Sequence, residues 1–241
     1  MRKVRLRVID IETTGGLPSE VIEIASVDVV VTDEGWKPEP PRSRLFRPIG
    51  PITFHAMAIH HLTPDDFDEA LSPCSDAGLR EFLTTDQRPD FLIAHNASFE
   101  SQHITASVTD ELEWICTVKG AQNAWPGAAG YSNQVLRYWR GIKLDPSFAM
   151  PPHRAGPDAW VTAHILIDLL RTASVQDLLG WTQAPRRLDR VPFGRYRGRE
   201  WTIPTSDYLR WLVSEPDMAD DVSARARKEL ADRDLVPRPV G

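Results

Sequence analysis

Asp10 and Glu12 stand two residues apart in the run Val8-Ile9-Asp10-Ile11-Glu12, whose β-branched residues and alternation read as a strand. A period of two puts both carboxylates on one face and turns Ile9 and Ile11 toward the other. Side-by-side carboxylates repel, and one would hold a proton unless a cation lies between them. The pair therefore requires a fold that either leaves this strand face in water or brings further ligands to it. Two later strings supply candidates for the second arrangement: Glu100 in AHNASFE, and His153 with Asp158 in HRAGPDA.

The pattern along the chain predicts an α/β fold, a mixed sheet flanked by helices. Strand-like runs cover residues 4–12, 21–31 and 44–47, with a breaker from Thr13 to Pro18 after the first. Phe91 to Ala94 reads as a short buried strand leading into Asn96-Ala97-Ser98, a helix start. Trp114 to Thr117 reads as another strand. Helices are expected at 52–59, 75–83, 117–124, 132–139 and 158–170. After Leu170 the pattern changes. A helical segment and linker over 173–187 would join a main domain of residues 1–172 to a small α+β module over 188–241. That module would open with a Gly-bounded turn between short strands and end with helices near 205–213 and 217–233.

With 241 residues the chain has room for one medium domain and a small appendage. Cys74 and Cys116 cannot build a disulfide framework, and no Cys/His cluster suits structural zinc. No apolar run approaches the roughly 20 residues that span a bilayer, and Arg5, Arg7 and Asp10 interrupt any signal-like start. A cytoplasmic protein with no membrane partner is expected. The net charge of −6 argues at first against a nucleic-acid partner. Distribution matters more than the sum. Arg186, Arg187, Arg190, Arg195, Arg197, Arg199 and Arg210 are opposed only by Asp189, Glu200 and Asp207, a local basic surface on an acidic chain.

All-oxygen ligands favour a hard divalent cation, magnesium or manganese rather than zinc. Glu100 falls in the first turn of its helix, where the dipole favours an anion, so it fits both a ligand and an ordinary first-turn acid. Asp158 opens the last helix of the main domain, and His153 precedes it in a loop with Pro151, Pro152 and Gly156. A mobile loop suits a base that approaches only when substrate is bound. Histidine titrates near ~6.5, so His153 could take a proton from water at neutral pH; an ordinary surface histidine is the plainer alternative.

In order, wording and spacing these strings resemble the DEDDh superfamily of 3′–5′ exonucleases. The first matches D-x-E-T-T-G, the second H-N-A-x-F-D and the third H-R-A-x-x-D-A. IEIASVDV (22–29), AMAIHHLT (56–63), EWICTVK (113–119), WPGAAGYSN (125–133) and PFGRYRG (192–198) extend the likeness over nearly the whole chain, to a bacterial exodeoxyribonuclease branch. The resemblance implies an RNase H-like fold and hydrolysis of DNA from a free 3′ end, releasing 5′-mononucleotides. It also implies two Mg2+ ions, with Mn2+ able to substitute, about 4 Å apart and clamping the attacking and leaving oxygens. By the same likeness Asp10 bridges both ions, Glu12 and Asp158 complete one site, Glu100 supports the other through water, and His153 is the general base. One position departs from the motif. The second string ends in Asp in the family and in Glu100 here, and the added methylene moves the carboxylate by roughly 1 Å.

The resemblance places the backbone of Thr13 to Gly15 at the 3′-terminal sugar and phosphate. Leu17 is either a wedge against the terminal nucleotide or a packing residue of the turn. Asn96 fits a helix cap or a substrate contact, and His95 a hydrogen-bonding strand end. Tyr131, Ser132 and Asn133 mark a helix start that suits a phosphate or plain capping by Ser132. Phe193 to Arg199 mixes aromatics with arginines, as nucleic-acid surfaces do; the alternative is a packing module with a mini-core of Trp201, Tyr208 and Trp211. DNA, single-stranded or duplex, is the expected partner. An exoribonuclease of the same superfamily, and a proofreading subunit or DNA-binding adaptor, are the competing readings.

Overall fold

A computed structural model describes residues 4–16, 18–84, 87–184, 188, 190–215, 218 and 220–234. The long strands β1 (Arg5–Thr13) and β2 (Val21–Thr32) pair antiparallel from Arg5 opposite Val30 to Thr13 opposite Val21, with an irregularity after Glu12. β3 (Gly35–Pro38) and β4 (Arg42–Leu45) pair antiparallel with successive stretches of β2. On the other side of β1, β5 (Phe91–Ala94) and then β6 (Trp114–Cys116) run parallel to it and to each other. Helices α1 (Phe54–His60), α2 (Asp76–Thr84), α3 (Ala97–His103), α4 (Ala106–Thr109), α5 (Thr117–Ala124), α6 (Asn133–Trp139), α7 (Pro146–Ala149) and α8 (Ala155–Leu169) complete this mixed α/β arrangement. α9 (Val175–Gln183), α10 (Ser206–Ser214) and α11 (Asp220–Asp234) follow.

The alternation of β1 divides two cores. Ile9 and Ile11 join Ile24, Phe46, Leu79, Phe82, Leu83, Leu92, Ile104 and Val108 on one face. Leu6 and Val8, with Val27 and Val29 across the pairing, are fully buried on the other, where α8 packs on both long strands. α8 is buried nearly all round because α5, α6 and α7 cover its outer side. Its apolar length therefore fixes its first turn at the end of β1.

Several boundaries differ from expectation. α8 begins at Ala155, three residues before Asp158, because Pro157 is tolerated in a first turn where its missing N–H has no helical acceptor. β3 was not expected: a short, partly exposed strand carries little apolar pattern. β4 covers Arg42–Leu45 rather than 44–47.

The chain divides into two compact units, Met1–Gly180 and Trp181–Gly241. The second has its own core of Val191, Trp201, Tyr208, Leu209, Leu212, Val222 and Ala226. Its expected short strands are absent among the described residues. One isolated bridge joins Arg190 to Glu200, and a tight turn occupies Gly194–Tyr196. Gly194 and Gly198, with φ of 70° and 77°, turn the backbone out of the extended path a ladder needs. Trp201 and Tyr208 are buried as a mini-core requires, whereas Trp211 is 44% exposed. Part of the expected linker, residues 185–187, lies outside the described residues.

Candidate metal and nucleotide site

Asp10 and Glu12 lie on the α8 face of β1, near its end. The first turn of α8 brings Asp158 to them, and one carboxylate oxygen from each of the three lies within 4.8 Å of the other two. Glu100, in the first turn of α3, is buried with its Oε2 unpartnered, as is Oδ1 of Asp158, among the described residues. Burial, and next the charge of Glu100 followed by that of Asp158, holds Asp10 well above the usual carboxylate range. Burial and then Asp158 push Glu12 up to about 8, and burial pushes Glu100 to about 8. Asp158 is likewise raised by burial, with the hydrogen bond from His153 opposing it. Four acids with raised proton affinity, two of them with an orphaned oxygen, form the donor set that a hard divalent cation satisfies. The fit is chemical, and it involves all three segments named from the sequence.

The neighbours of these acids hold them in place. Glu23 faces Glu12 across the β1–β2 pairing. It accepts two hydrogen bonds from the Arg154 guanidinium, both at 2.9 Å, and one from the Ala155 N–H at 3.1 Å. The backbone N–H of His153 donates to Asp158 Oδ2 at 2.9 Å. The segment before α8, expected to be a mobile loop, is therefore tethered at three successive residues. His153 itself adopts φ 59°, and its imidazole is exposed. Asn133 donates through Nδ2 to the Asp158 carbonyl and to Thr162 Oγ1, both at 3.1 Å, binding α6 to the first turn of α8.

The strand end is fixed from the other side. His60 is buried, with Nε2 3.2 Å from the Thr13 carbonyl and Nδ1 accepting from Leu62 N–H. Thr13 Oγ1 accepts from the Gly15 N–H. Gly15 has φ 71°, and a Cβ there would come within 2.7 Å of Ala56 Cβ and Thr53 Oγ1, so the turn closes on α1 only with glycine. Between them, Ile11, Glu12, Thr13, Gly15, Ala56, Ile59, His60 and Phe99 line much of an apolar cavity of about 310 Å³ that adjoins the acids.

Other expected contacts resolve differently. Asn96 occupies the cap position of α3, but its side chain makes no cap hydrogen bond; Oδ1 accepts from Ser98 Oγ instead. Ser132 likewise stands at the cap of α6 without a side-chain cap bond. Tyr131 turns its hydroxyl to the Trp125 carbonyl, and its own carbonyl lies 2.8 Å from His95 Nε2. His95 is a hydrogen-bonded strand end as expected, also contacting Thr117 Oγ1, and burial lowers it to about 4. Leu17 lies outside the described residues. Glu23, Arg154, His60, Ile59 and Phe99 were not singled out from sequence. The one signal was Glu23, one of two acids in the β-rich run VIEIASVDV and the one with the parity of Glu12.

The exonuclease family model RNase_T matches residues 8–166, which takes in all of these acids. The chain belongs to the exonuclease family. This exonuclease is 36% identical over 219 residues to exodeoxyribonuclease 10 of Escherichia coli, covering 88% of its own chain and 92% of that protein. A solved structure of exonuclease X in complex with 5′-overhanging duplex DNA matches with a TM-score of 0.59 at 35% identity, over 73% of this chain and 99% of that one. The nuclease domain of 3′hExo, a DEDDh family member bound to rAMP, matches with a TM-score of 0.53 at 18% identity, over 70% and 92% of the two chains. That last likeness shows the shared fold.

Proposed function

We infer that this exonuclease is a metal-dependent 3′–5′ exodeoxyribonuclease that releases 5′-mononucleotides from DNA 3′ ends. The observation that carries the reading is the meeting of Asp10, Glu12, Glu100 and Asp158, from three separated segments, beside an apolar cavity. Asp10, Glu12 and Asp158 would hold the cation, with Glu100 behind them, and Mg2+ is the proposed ion with Mn2+ as substitute. Two such ions, when bound, supply Lewis-acid stabilisation of the charge that builds on a phosphodiester under attack.

The chain's own residues do the rest. His153 is the proposed base, taking the proton of the attacking water as its oxygen bonds to phosphorus and the 3′ oxygen of the next nucleotide leaves. Its backbone N–H holds Asp158 in one orientation, and the Glu23–Arg154 clamp fixes the segment that carries both. Thr13 and Gly15 present backbone to the terminal sugar and phosphate, with Asn96, Tyr131, Ser132 and Asn133 nearby in the proposed substrate path. The cavity beside Ile59 and Phe99 is the proposed seat of the terminal base, its apolar lining suited to one face of the ring. Among the described residues no helix is long and apolar enough to cross a membrane, and work in the cytoplasm is proposed.

The deciding experiment incubates end-labelled single- and double-stranded DNA and RNA with Mg2+, Mn2+ or EDTA, beside an Asp10→Ala control. Stepwise shortening of DNA from its 3′ end, abolished by EDTA and in the control, is expected. Degradation of RNA in preference to DNA would overturn the substrate, and metal-independent cleavage would overturn the mechanism.

A further inference from the structure

The exonuclease family match ends at residue 166, and the second unit contains none of the acids described above. One face of that unit has features a packing module does not need. The rings of Tyr196, Tyr208 and Trp211 form a ladder, with centroids 4.8 Å and 5.4 Å apart. The Arg195 guanidinium lies 4.9 Å from the first ring centroid and 5.2 Å from the second. Trp211 ends the ladder half in solvent, and Phe193 is exposed next to Arg195's turn. Arg197 and Arg199 are exposed in the same turn. Among the described residues the ion pairs of this unit join Arg210 to Asp207 and both Arg225 and Arg233 to Glu229, so Arg195, Arg197 and Arg199 are uncompensated.

A second observation points to a ligand. The Tyr208 hydroxyl is buried and has no hydrogen-bond partner among the described residues. It lies under Gly194, where a Cβ would approach it to 2.5 Å. A buried hydroxyl without a partner is costly, and a water, an ion or a group from a ligand relieves it. Cationic side chains interleaved with exposed rings match one chemistry above others: an anionic backbone whose bases are free to stack.

We propose that this face binds single-stranded DNA without sequence preference. Bases stack on Trp211 and Phe193, and phosphates meet Arg195, Arg197 and Arg199. Duplex DNA, whose bases already stack on one another, binds less tightly. The hydrolytic reading concerns the first unit and survives if this one fails.

The test uses the full chain in EDTA, with fluorescence anisotropy of a labelled oligo-dT across a range of NaCl concentrations. Trp211→Ala is expected to weaken binding about tenfold, the loss of one stacked base. Replacing Arg195, Arg197 and Arg199 by Ala should flatten the slope of log K against log salt by about 2, three phosphate contacts at ~0.7 each. These arginines are exposed, so the triple variant keeps its fold even where a tryptophan variant does not. Turnover of a trinucleotide in Mg2+, read separately, should be unchanged in both variants. Parental affinity and salt slope in the triple variant would overturn the proposal. So would tighter binding to duplex DNA, or to oligo-rU by tenfold or more.

Discussion

The two faces of β1 solve the problem of buried charge in opposite ways. On one, Arg7 is fully buried and meets Asp28 on the facing strand through two hydrogen bonds of 2.7 Å. Arg5 adds a third at 2.5 Å, and the Leu83 carbonyl accepts from the Arg7 guanidinium. Burial alone would raise Asp28, yet these guanidinium contacts hold it below the usual carboxylate range. On the other face, Asp10, Glu12, Glu100 and Asp158 are gathered with acids for company, and all are raised. A carboxylate completed by its own chain is architecture. A carboxylate left incomplete in a protected place is a binding site, and its instability without ligand is what gives a cation its grip.

Substituting one acid on each face tests that contrast most severely. Asp10→Asn should lower kcat on a DNA 3′ end by on the order of 10³-fold, while raising the Tm measured in EDTA, because a buried acid that ionises more readily in the unfolded chain is gone. Asp28→Asn should do the reverse. Breaking a buried pair from one side costs about 3–5 kcal/mol, measurable by urea unfolding, with kcat of the folded fraction unaltered. A matching pair of effects in both variants would erase the distinction between the faces.

A pH series sharpens it. Glu12 and Glu100 have folded pKa values near 8 against an ordinary 4.5, so the folded state holds their protons more tightly than the unfolded chain does. That contribution is fully present below about pH 4.5 and is lost as pH rises through about 8. In EDTA, Tm should therefore fall from pH 5 toward pH 8, and the rise in Tm on adding Mg2+ should be larger at pH 8 than at pH 5. A metal-induced shift independent of pH would contradict the site as described.

Glu23→Gln probes the border between the two kinds of carboxylate, since this acid is completed by Arg154 yet adjoins the incomplete set. Losing one arm of the clamp should cost about 10-fold in activity or metal affinity, with Tm in EDTA nearly constant; thermal scans beside initial rates distinguish the two. The smallest effect is expected from Glu100→Asp. Oε2 of Glu100 has no protein partner among the described residues, and a water can fill the space left by a shorter arm, so kcat should change by less than about tenfold in steady-state assays.

What could be seen in advance followed the range over which each feature is encoded. Asp10 and Glu12 were legible because strand parity is a local property, and Asp158 because its string carries the family's spacing. Glu23 was not, since its value depends on register: it faces Glu12 only because β1 and β2 pair with Ile11 opposite Ile24, ahead of the irregularity after Glu12. Asn133 showed as a helix start, but its bonds to α8 arise from tertiary packing that no window of sequence contains. The strands expected around Gly194 failed on backbone conformation. The Gly-bounded turn is there, with positive φ at Gly194 and Gly198, but among the described residues a single bridge from Arg190 to Glu200 flanks it in place of a ladder.

The left-handed backbone at His153 couples two jobs that are usually assigned to separate residues. Its peptide N–H orients a carboxylate of the acid cluster, while its ring is exposed and is the proposed base. Alanine there would delete the imidazole and also alter the torsional preference that aims the amide. A rate lost in that variant is therefore a compound quantity, and glycine, which accepts the same torsion without strain, is the cleaner way to remove the ring alone.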